Sequence, residues 1–202
     1  SLVAVSKTKS ATLILEAYNG GQRVFGENKV QELTEKHSEL PKDIQWHMIG
    51  HLQRNKVKYI APFISVIHSV DSLRLLQEIN KQGLKNKRVI DCLLQFHIGK
   101  ETTKFGLDLN EAQEILSSKE FVEMSNINVT GVMGMSSNTD DEEQVRNEFR
   151  TLENYLHVLK SHYFKFNDSF NIISMGMSGD YKLAIEEGSN MVRVGSLIFG
   201  DR

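Results

Sequence analysis

The sequence predicts an α/β protein with the fold of a (β/α)8 TIM barrel, and two observations carry this prediction. Short apolar runs alternate with segments of helical periodicity along the chain, and eight such units can be counted. Eight units are the number that closes a parallel barrel with right-handed crossovers. The competing fold is an open doubly wound sheet, but no G-x-G-x-x-G turn follows the first strand. We therefore expect residues 1–202 to form one barrel domain.

Strands in the first half of the chain are expected where apolar and β-branched residues cluster, at residues 2–7, 23–26, 44–50 and 63–70. Ser10 is a suitable N-cap for the first helix, which Gly20 and Gly21 end. The next helices are expected after residues 27–28, at residues 55–61 and after the candidate N-cap Asp71.

Strands in the second half are expected at residues 89–96, 127–133, 170–174 and 191–194. Asn110 with Gln113 indicates the start of a helix after the loop 97–109, and Thr139 with Glu142 forms a candidate capping box. This box opens the longest helix, whose apolar residues repeat at helical spacing: Val145, Phe149, Leu152, Leu156 and Leu159. A short helix is expected from Ser178 to residue 188.

Composition limits the classes of partner. The 202 residues carry a formal net charge of −2, and the basic residues are dispersed. We therefore expect no nucleic acid or membrane partner, and no apolar run reaches the roughly 20 residues of a membrane span. Cys92 lies in an apolar run, which is typical of a core thiol in a reducing compartment such as the cytoplasm. The chain opens inside a strand without an initiator methionine, so an N-terminal segment is expected to be missing.

Lys7 is the first candidate functional residue, because the apolar run before it delivers it to the carboxyl end of the first strand. Alternation along a strand places Lys7 on the same face as Val3 and Val5, toward the core. A lysine beside apolar walls loses hydration, its pKa falls, and its free amine can attack an aldehyde to form an imine. The alternative is an ordinary solvated lysine at a strand end.

Two loops have the chemistry of a phosphate site, which barrels commonly form after strands seven and eight. The loop at residues 174–180 presents small residues and the hydroxyl of Ser178 before a helix. The other loop places Gly195 and Ser196 just after Arg193. Free backbone N–H groups at helix N-termini bind anions. Each loop alone also fits a simple turn with an N-cap serine.

Several motifs resemble those of the pyridoxal phosphate homeostasis protein family, in the same order from the first strand to Arg202. They are L-V-A-V-S-K-T-K at residues 2–9, F-G-E-N at 25–28, W-H-M-I-G at 46–50, L-Q at 52–53, N-K at 55–56, S-M-G-M-S at 174–178, M-V-R-V-G at 191–195 and I-F-G at 198–200. The resemblance implies the barrel fold of the alanine racemase N-terminal domain. It also implies a protein that holds pyridoxal 5′-phosphate (PLP) as a Schiff base and serves as a carrier or regulator of the vitamer pool, without established catalysis.

The resemblance implies a role for each candidate residue near the cofactor ring. It makes Lys7 the lysine of the Schiff base, places Asn28 near the ring, and places Arg193 near the pyridine nitrogen or the phosphate. The sequence departs from the family at His97, where asparagine is usual, and at His51, where proline or glycine is common. A helix that normally precedes the first strand is absent from this chain.

The phosphate cup that the resemblance implies has two sides. Ser178 and Gly179 form one side, and Gly195 and Ser196 form the other. The implied partners are PLP and, transiently, the PLP-dependent apoenzymes that receive it. We expect the protein itself to be a monomer or a weak dimer.

Two other clusters have simpler explanations than a catalytic or metal site. His47 and His51 are four apart, as in zinc motifs, but the pair spans a strand and its loop, and Met48 stands in place of the glutamate of H-E-x-x-H. We therefore expect no metal. The acidic residues 140–143 are typical of a solvated first helical turn, where the dipole favours carboxylates.

An amino-acid racemase is the alternative function. Such an enzyme needs acid–base groups on both faces of the substrate α-carbon, and Lys7 can serve one face. In related racemases the opposite base is a tyrosine from an additional β domain, and we do not expect residues 1–202 to supply one. Only Tyr181, beside the phosphate loop, is expected to approach the cofactor. We therefore expect a noncatalytic cofactor-binding protein.

Overall fold

The computed structural model describes residues 1–100 and 105–200 and contains a barrel of parallel strands. The strands are β1 (Leu2–Val5), β2 (Val24–Glu27), β3 (Gln45–Met48), β4 (Val66–Val70), β5 (Ile90–Phe96), β6 (Ile127–Gly134), β7 (Ile172–Ser174) and β8 (Val192–Val194). Their order is β7-β6-β5-β4-β3-β2-β1-β8, and each neighbouring pair is parallel. A parallel bridge between Ser174 and Met191 brings β7 to the start of β8, so the ring is nearly closed. The predicted (β/α)8 barrel is confirmed.

Helices connect the strands of the barrel. In the described ranges they are α1 (Ala11–Asn19), α2 (Val30–Glu39), α3 (Val57–Ile60), α4 (Leu73–Lys85), α5 (Leu109–Ser117), α6 (Lys119–Val122), α7 (Glu142–Tyr163), α8 (Tyr181–Glu186) and α9 (Ser196–Phe199), with a 3-10 turn at Arg54–Lys56 before α3. Residues 101–104 of the expected loop after β5, and Arg202, lie outside the described residues.

Two expected helix starts were wrong by one or two residues. The side chain of Ser72, and not that of Asp71, accepts the capping hydrogen bond of α4. The capping box of α5 is formed by Asp108 and Glu111 instead of residues 110 and 113. A cap requires an extended residue whose side chain reaches the amide three residues on, and a string of suitable polar residues does not reveal which of them adopts that backbone.

The later helices show the same kind of error. Asp141 caps α7, so the expected capping box of Thr139 with Glu142 is wrong, and Glu142 is the first helical residue. The helix after β7 begins at Tyr181, three residues after Ser178. Ser178 therefore belongs to the loop between β7 and α8, which is longer than the sequence suggests.

The core divides into a large layer outside the barrel and a small cluster inside it. The outer layer packs the sheet against the helices and includes the apolar face of α7, whose five predicted residues are all buried. The inner cluster is formed by Val66, Leu93 and Met133. Cys92 is buried in the outer layer, and burial raises the pKa of its thiol.

One glycine is required for the pairing of β6 with β7. Gly131 has a φ of 158°, and a Cβ atom at this position would lie 2.0 Å from the carbonyl oxygen of Ile172. Only a residue without a side chain allows β6 and β7 to approach this closely. Within the described ranges, no helix is long and apolar enough to cross a membrane.

Candidate functional site

A cavity of about 540 Å³ opens at the carboxyl ends of β1, β2, β7 and β8. All seven residues that the sequence singled out for a cofactor line this one cavity: Lys7, Asn28, Ser178, Gly179, Arg193, Gly195 and Ser196. They come from four separate loops and strands, so the fold brings together residues that are up to 189 positions apart in the chain. Such convergence at the carboxyl face is where barrels build their functional sites.

Lys7 lies in a tight turn and not in the strand itself, since β1 ends at Val5. The amide of Lys9 donates to the carbonyl of Ser6 (3.0 Å), which closes the turn around Lys7 and Thr8. Thr8 has a φ of 65°, in the left-handed region that β-branched residues rarely adopt. The side chain of Lys7 is half-buried and shares the cavity wall with Val5, as the alternation along the strand predicts.

Asn28 directly follows β2 and reaches the cavity because a neighbouring loop leaves space for its backbone. A Cβ atom at Gly50 would lie 2.5 Å from the carbonyl oxygen of Asn28. The glycine of the W-H-M-I-G motif therefore allows the loop after β3 to pack directly against Asn28.

The loops after β7 and β8 form the opposite side of the cavity. The hydroxyl of Ser178 accepts a hydrogen bond from the amide of Gly195 (3.3 Å), which joins the two loops. Among the described residues, the amides of Ser178, Gly179 and Ser196 have no hydrogen-bond partner. Backbone amides without partners that line one cavity are suited to bind an anion.

Asp180 holds the loop after β7 in shape, a role that the sequence did not indicate. One carboxylate oxygen accepts from the amide of Met177 (2.6 Å), and the other accepts from the hydroxyl of Ser136 (2.6 Å). Gly176, with a φ of 95°, provides the left-handed residue at which this loop turns.

Arg193 points into the barrel below the two loops, as predicted from alternation along β8. Its guanidinium donates to the carbonyl and the hydroxyl of Ser174 (2.8 and 2.7 Å) and to the carbonyl of Gly134 (3.0 Å). Burial lowers the pKa of Arg193 to about 10, which leaves the side chain positively charged at neutral pH.

A chain of buried polar side chains continues from Arg193 across the barrel interior. Ser174 contacts Nδ1 of His68 (3.0 Å), and Nε2 of His68 contacts Nδ1 of His47 (2.9 Å). Burial lowers the pKa of His47 to about 4, and burial also lowers the pKa of His68. Both histidines are therefore neutral at pH 7. His68 is hydrogen-bonded through both ring nitrogens, and His47 is bonded to it through Nδ1. His47 serves this chain of hydrogen bonds and does not converge with His51, which stacks on Phe105.

The walls of the cavity favour a ligand with an apolar body and an anionic group. Among the described lining residues, Lys7, Lys9 and Arg193 are basic and none is acidic. Ile49 and Met135 add apolar surface. Lys9, which the sequence did not single out, donates to the carbonyl oxygens of residues 199 and 200 and so ties the turn at Lys7 to α9.

Comparison with known proteins identifies the family and agrees with the fold. Residues 1–202 match the family described as alanine racemase, N-terminal domain. The chain is 40% identical over 202 residues to a pyridoxal phosphate homeostasis protein of Aquifex aeolicus, covering 100% of this chain and 86% of that protein. A solved structure of PipY from Synechococcus elongatus PCC7942 with PLP bound has a TM-score of 0.89 and 32% identity, covering 99% of this chain and 92% of PipY.

A more distant structure shares only the fold. An alanine racemase of Bartonella henselae superposes with a TM-score of 0.71 at 16% identity, covering 100% of this chain and 54% of the racemase. The full-length matches at higher identity are to proteins named for pyridoxal phosphate homeostasis. By the profile match and these relatives, the chain belongs to the alanine racemase N-terminal domain family and, within it, to the pyridoxal phosphate homeostasis proteins.

Proposed function

We propose that this protein binds pyridoxal 5′-phosphate, holds it as a Schiff base on Lys7, and acts as a carrier or regulator of the PLP pool in the cytoplasm. The observation that carries the proposal is the cavity that places a half-buried lysine opposite partner-free backbone amides. The PLP-bound structure of its relative PipY supports the same ligand.

The residues of the phosphate side fit the cofactor. The amides of Ser178, Gly179 and Ser196 are suited to hold phosphate oxygens, and the positive charge of Lys9 and Arg193 favours a dianion. A Cβ atom at Gly195 would lie 3.1 Å from the carbonyl oxygen of Val5, so a side chain there would crowd the cavity. When bound, PLP supplies an aldehyde that reacts with amines.

Lys7 provides the amine for the covalent link. Its Nζ forms a C=N bond to the aldehyde carbon, and the aldehyde oxygen leaves as water after accepting two protons from the amine. Val5 and Ile49 add apolar surface to the cavity that Lys7 lines. The link is reversible by hydrolysis, so PLP can be released to an apoenzyme.

Arg193 disfavours chemistry that uses the ring as a strong electron sink, such as transamination, and the lack of a lining tyrosine disfavours a racemase. A guanidinium only donates hydrogen bonds, so a pyridine nitrogen that it contacts must remain unprotonated, and the ring is then a poor electron sink. Within the part of the chain that the structure describes, no tyrosine lines the cavity, and Tyr181 is outside the lining. None of the described tyrosines therefore supplies a second acid–base group opposite Lys7.

Borohydride reduction of the PLP-loaded protein, followed by peptide mapping, tests the Schiff base. We expect a pyridoxyl label on Lys7 and a yellow wild-type protein. Lys7→Ala should lose the absorbance while keeping its thermal unfolding transition, whereas Lys182→Ala, which removes an exposed lysine of α8, should keep the label. A label on another lysine would contradict the assignment.

A chiral assay across a panel of L-amino acids separates the carrier from the racemase. We expect at most a trace of racemisation. Turnover of about 1 per second or faster, within the usual enzyme range, would favour the racemase. Mixing the loaded protein with a PLP-dependent apoenzyme and following recovery of that enzyme's activity tests delivery of the cofactor.

A further inference from the structure

A buried ionic cluster lies directly behind the turn that carries Lys7. We define it as Ser6, Glu27, Glu32 and Lys36. The ammonium of Lys36 donates to the carboxylates of Glu27 (2.7 Å) and Glu32 (2.6 Å), and the hydroxyl of Ser6 donates to the same oxygen of Glu27 (2.6 Å). Glu27 is 0% exposed and Lys36 is 7% exposed. Within the described residues, no member of this cluster lines the cavity.

The cluster contacts the backbone on both sides of Lys7. Before Lys7, the carbonyl oxygen of Ser6 accepts from the ammonium of Lys36 (2.7 Å). After Lys7, the amide of Thr8 donates to the carboxylate of Glu32 (2.5 Å). The peptides on both sides of Lys7 are therefore held by two side chains of α2, Lys36 and Glu32.

The cluster is poorly suited to contribute stability alone. Burial raises the pKa of Glu27 although Lys36 and Ser6 both lower it, and its second oxygen has no hydrogen-bond partner among the described residues. Buried ions are desolvated at a cost that their attraction often fails to exceed, and apolar residues of similar volume frequently replace them without loss of stability. Thr8, strained at a φ of 65°, persists only because its surroundings hold it.

We propose that Glu27, Glu32 and Lys36 are positioning residues for Lys7. They hold the turn so that Nζ of Lys7 stands in the cavity where the aldehyde arrives, and they act on imine formation and not on the phosphate side. This inference rests on the proposed function, because it assigns the cluster a role in the reaction of Lys7.

Two ligands separate positioning from general loosening of the site. PLP forms the imine through its aldehyde. Pyridoxamine 5′-phosphate carries an amine in place of the aldehyde, so it binds without forming an imine. Stopped-flow absorbance measures the rate of imine formation. In Lys36→Met and in Glu32→Ala, we expect this rate to fall about tenfold, whereas the Kd of pyridoxamine phosphate should change less than twofold. Glu35→Ala, an exposed site on the same helix, should match wild type in both measurements.

Amide hydrogen exchange of the protein without cofactor gives an independent measurement. The Thr8 amide should exchange about tenfold faster in Glu32→Ala than in wild type or Glu35→Ala, because its acceptor has been removed. Glu32 is partly exposed, so this variant keeps the inference testable if Lys36→Met does not fold.

Three outcomes would overturn the inference. Imine formation at the wild-type rate in both variants would exclude a positioning role, and parallel losses for PLP and pyridoxamine phosphate would indicate a general structural role. In either case a borohydride label on wild-type Lys7 leaves the proposed function intact. Absence of that label in wild type would overturn the proposed function and this inference together.

Discussion

The two sides of the cavity are built from different chemical groups. The Lys7 side depends on side chains: the turn around Lys7 is held by buried Glu27 and Lys36 and by partly exposed Glu32. The opposite side depends on backbone amides, with Ser178 joining the two loops. The difference follows from what each side must hold. An anion is recognised by any set of converging amides, whereas a nucleophile must point in one direction.

The largest expected effect comes from breaking the backbone side. In Gly195→Val the new side chain meets Val5 and occupies cavity space, since the glycine Cβ position already lies 3.3 Å from Cβ of Val5. We expect PLP retention in equilibrium dialysis to fall by at least about 100-fold, because the packed cavity wall cannot expand to admit both the valine side chain and the phosphate of PLP. Gly20→Ala, at the distant end of α1, is the control and should retain PLP. Equal retention in Gly195→Val and wild type would refute the phosphate assignment.

Acid should destabilise the protein through the buried histidines His47 and His68, which lie in the barrel interior. The pKa of buried His47 is about 4 against 6.5 in the unfolded chain, so between these values the native state binds fewer protons than the unfolded state. Stability is therefore complete above pH 6.5 and is lost as the pH falls toward 4. This depression corresponds to roughly 3 kcal/mol, and His68 acts in the same direction.

Urea denaturation at pH 7 and pH 4.5 measures this loss. His47→Gln should show a smaller difference between the two pH values than wild type, whereas His157→Gln, on the exposed face of α7, should not. Identical pH dependence in His47→Gln and wild type would mean that these buried histidines do not control acid stability.

A smaller effect is expected from Ser178→Ala. The hydroxyl joins the loops through the amide of Gly195, but the backbone amides that we propose bind the phosphate remain. The Kd of pyridoxamine phosphate should therefore rise only about threefold, the size of one modest hydrogen bond. A loss as large as that of Gly195→Val would show that the hydroxyl, and not the backbone, dominates the phosphate side.

The smallest change in stability is expected from Thr8→Gly on the Lys7 side. Glycine relieves the left-handed strain but adds backbone freedom, so the free energy of unfolding should change by less than about 1 kcal/mol. The looser turn should slow imine formation about threefold. Lys87→Gly, the same change at the other described non-glycine residue with positive φ, should leave imine formation unaffected. An imine rate equal to wild type in Thr8→Gly would show that strain at this residue does not direct Lys7.

Much of the architecture could be predicted from the local pattern of apolar and polar residues in the sequence. Alternation of apolar strands with amphipathic helices predicted the eight-stranded barrel, because each element must bury one face or stripe against its neighbours. The same logic placed Arg193 inside the barrel and Lys7 at the carboxyl end of β1. Helix starts were less accessible, since Ser72 and Asp141 differ from their polar neighbours only in backbone conformation.

The chain by itself determined the fold class and seven of the residues that line the cavity, because strand ends, glycines and motif order are local properties. Only the tertiary structure decided which buried polar groups pair. The chain of His47, His68 and Ser174 crosses from β3 through β4 to β7, and Lys36 meets Ser6 thirty residues away. Their side chains pair because barrel closure and helix packing exclude water, so each buried polar group takes its partner from another element, which no sequence period reveals.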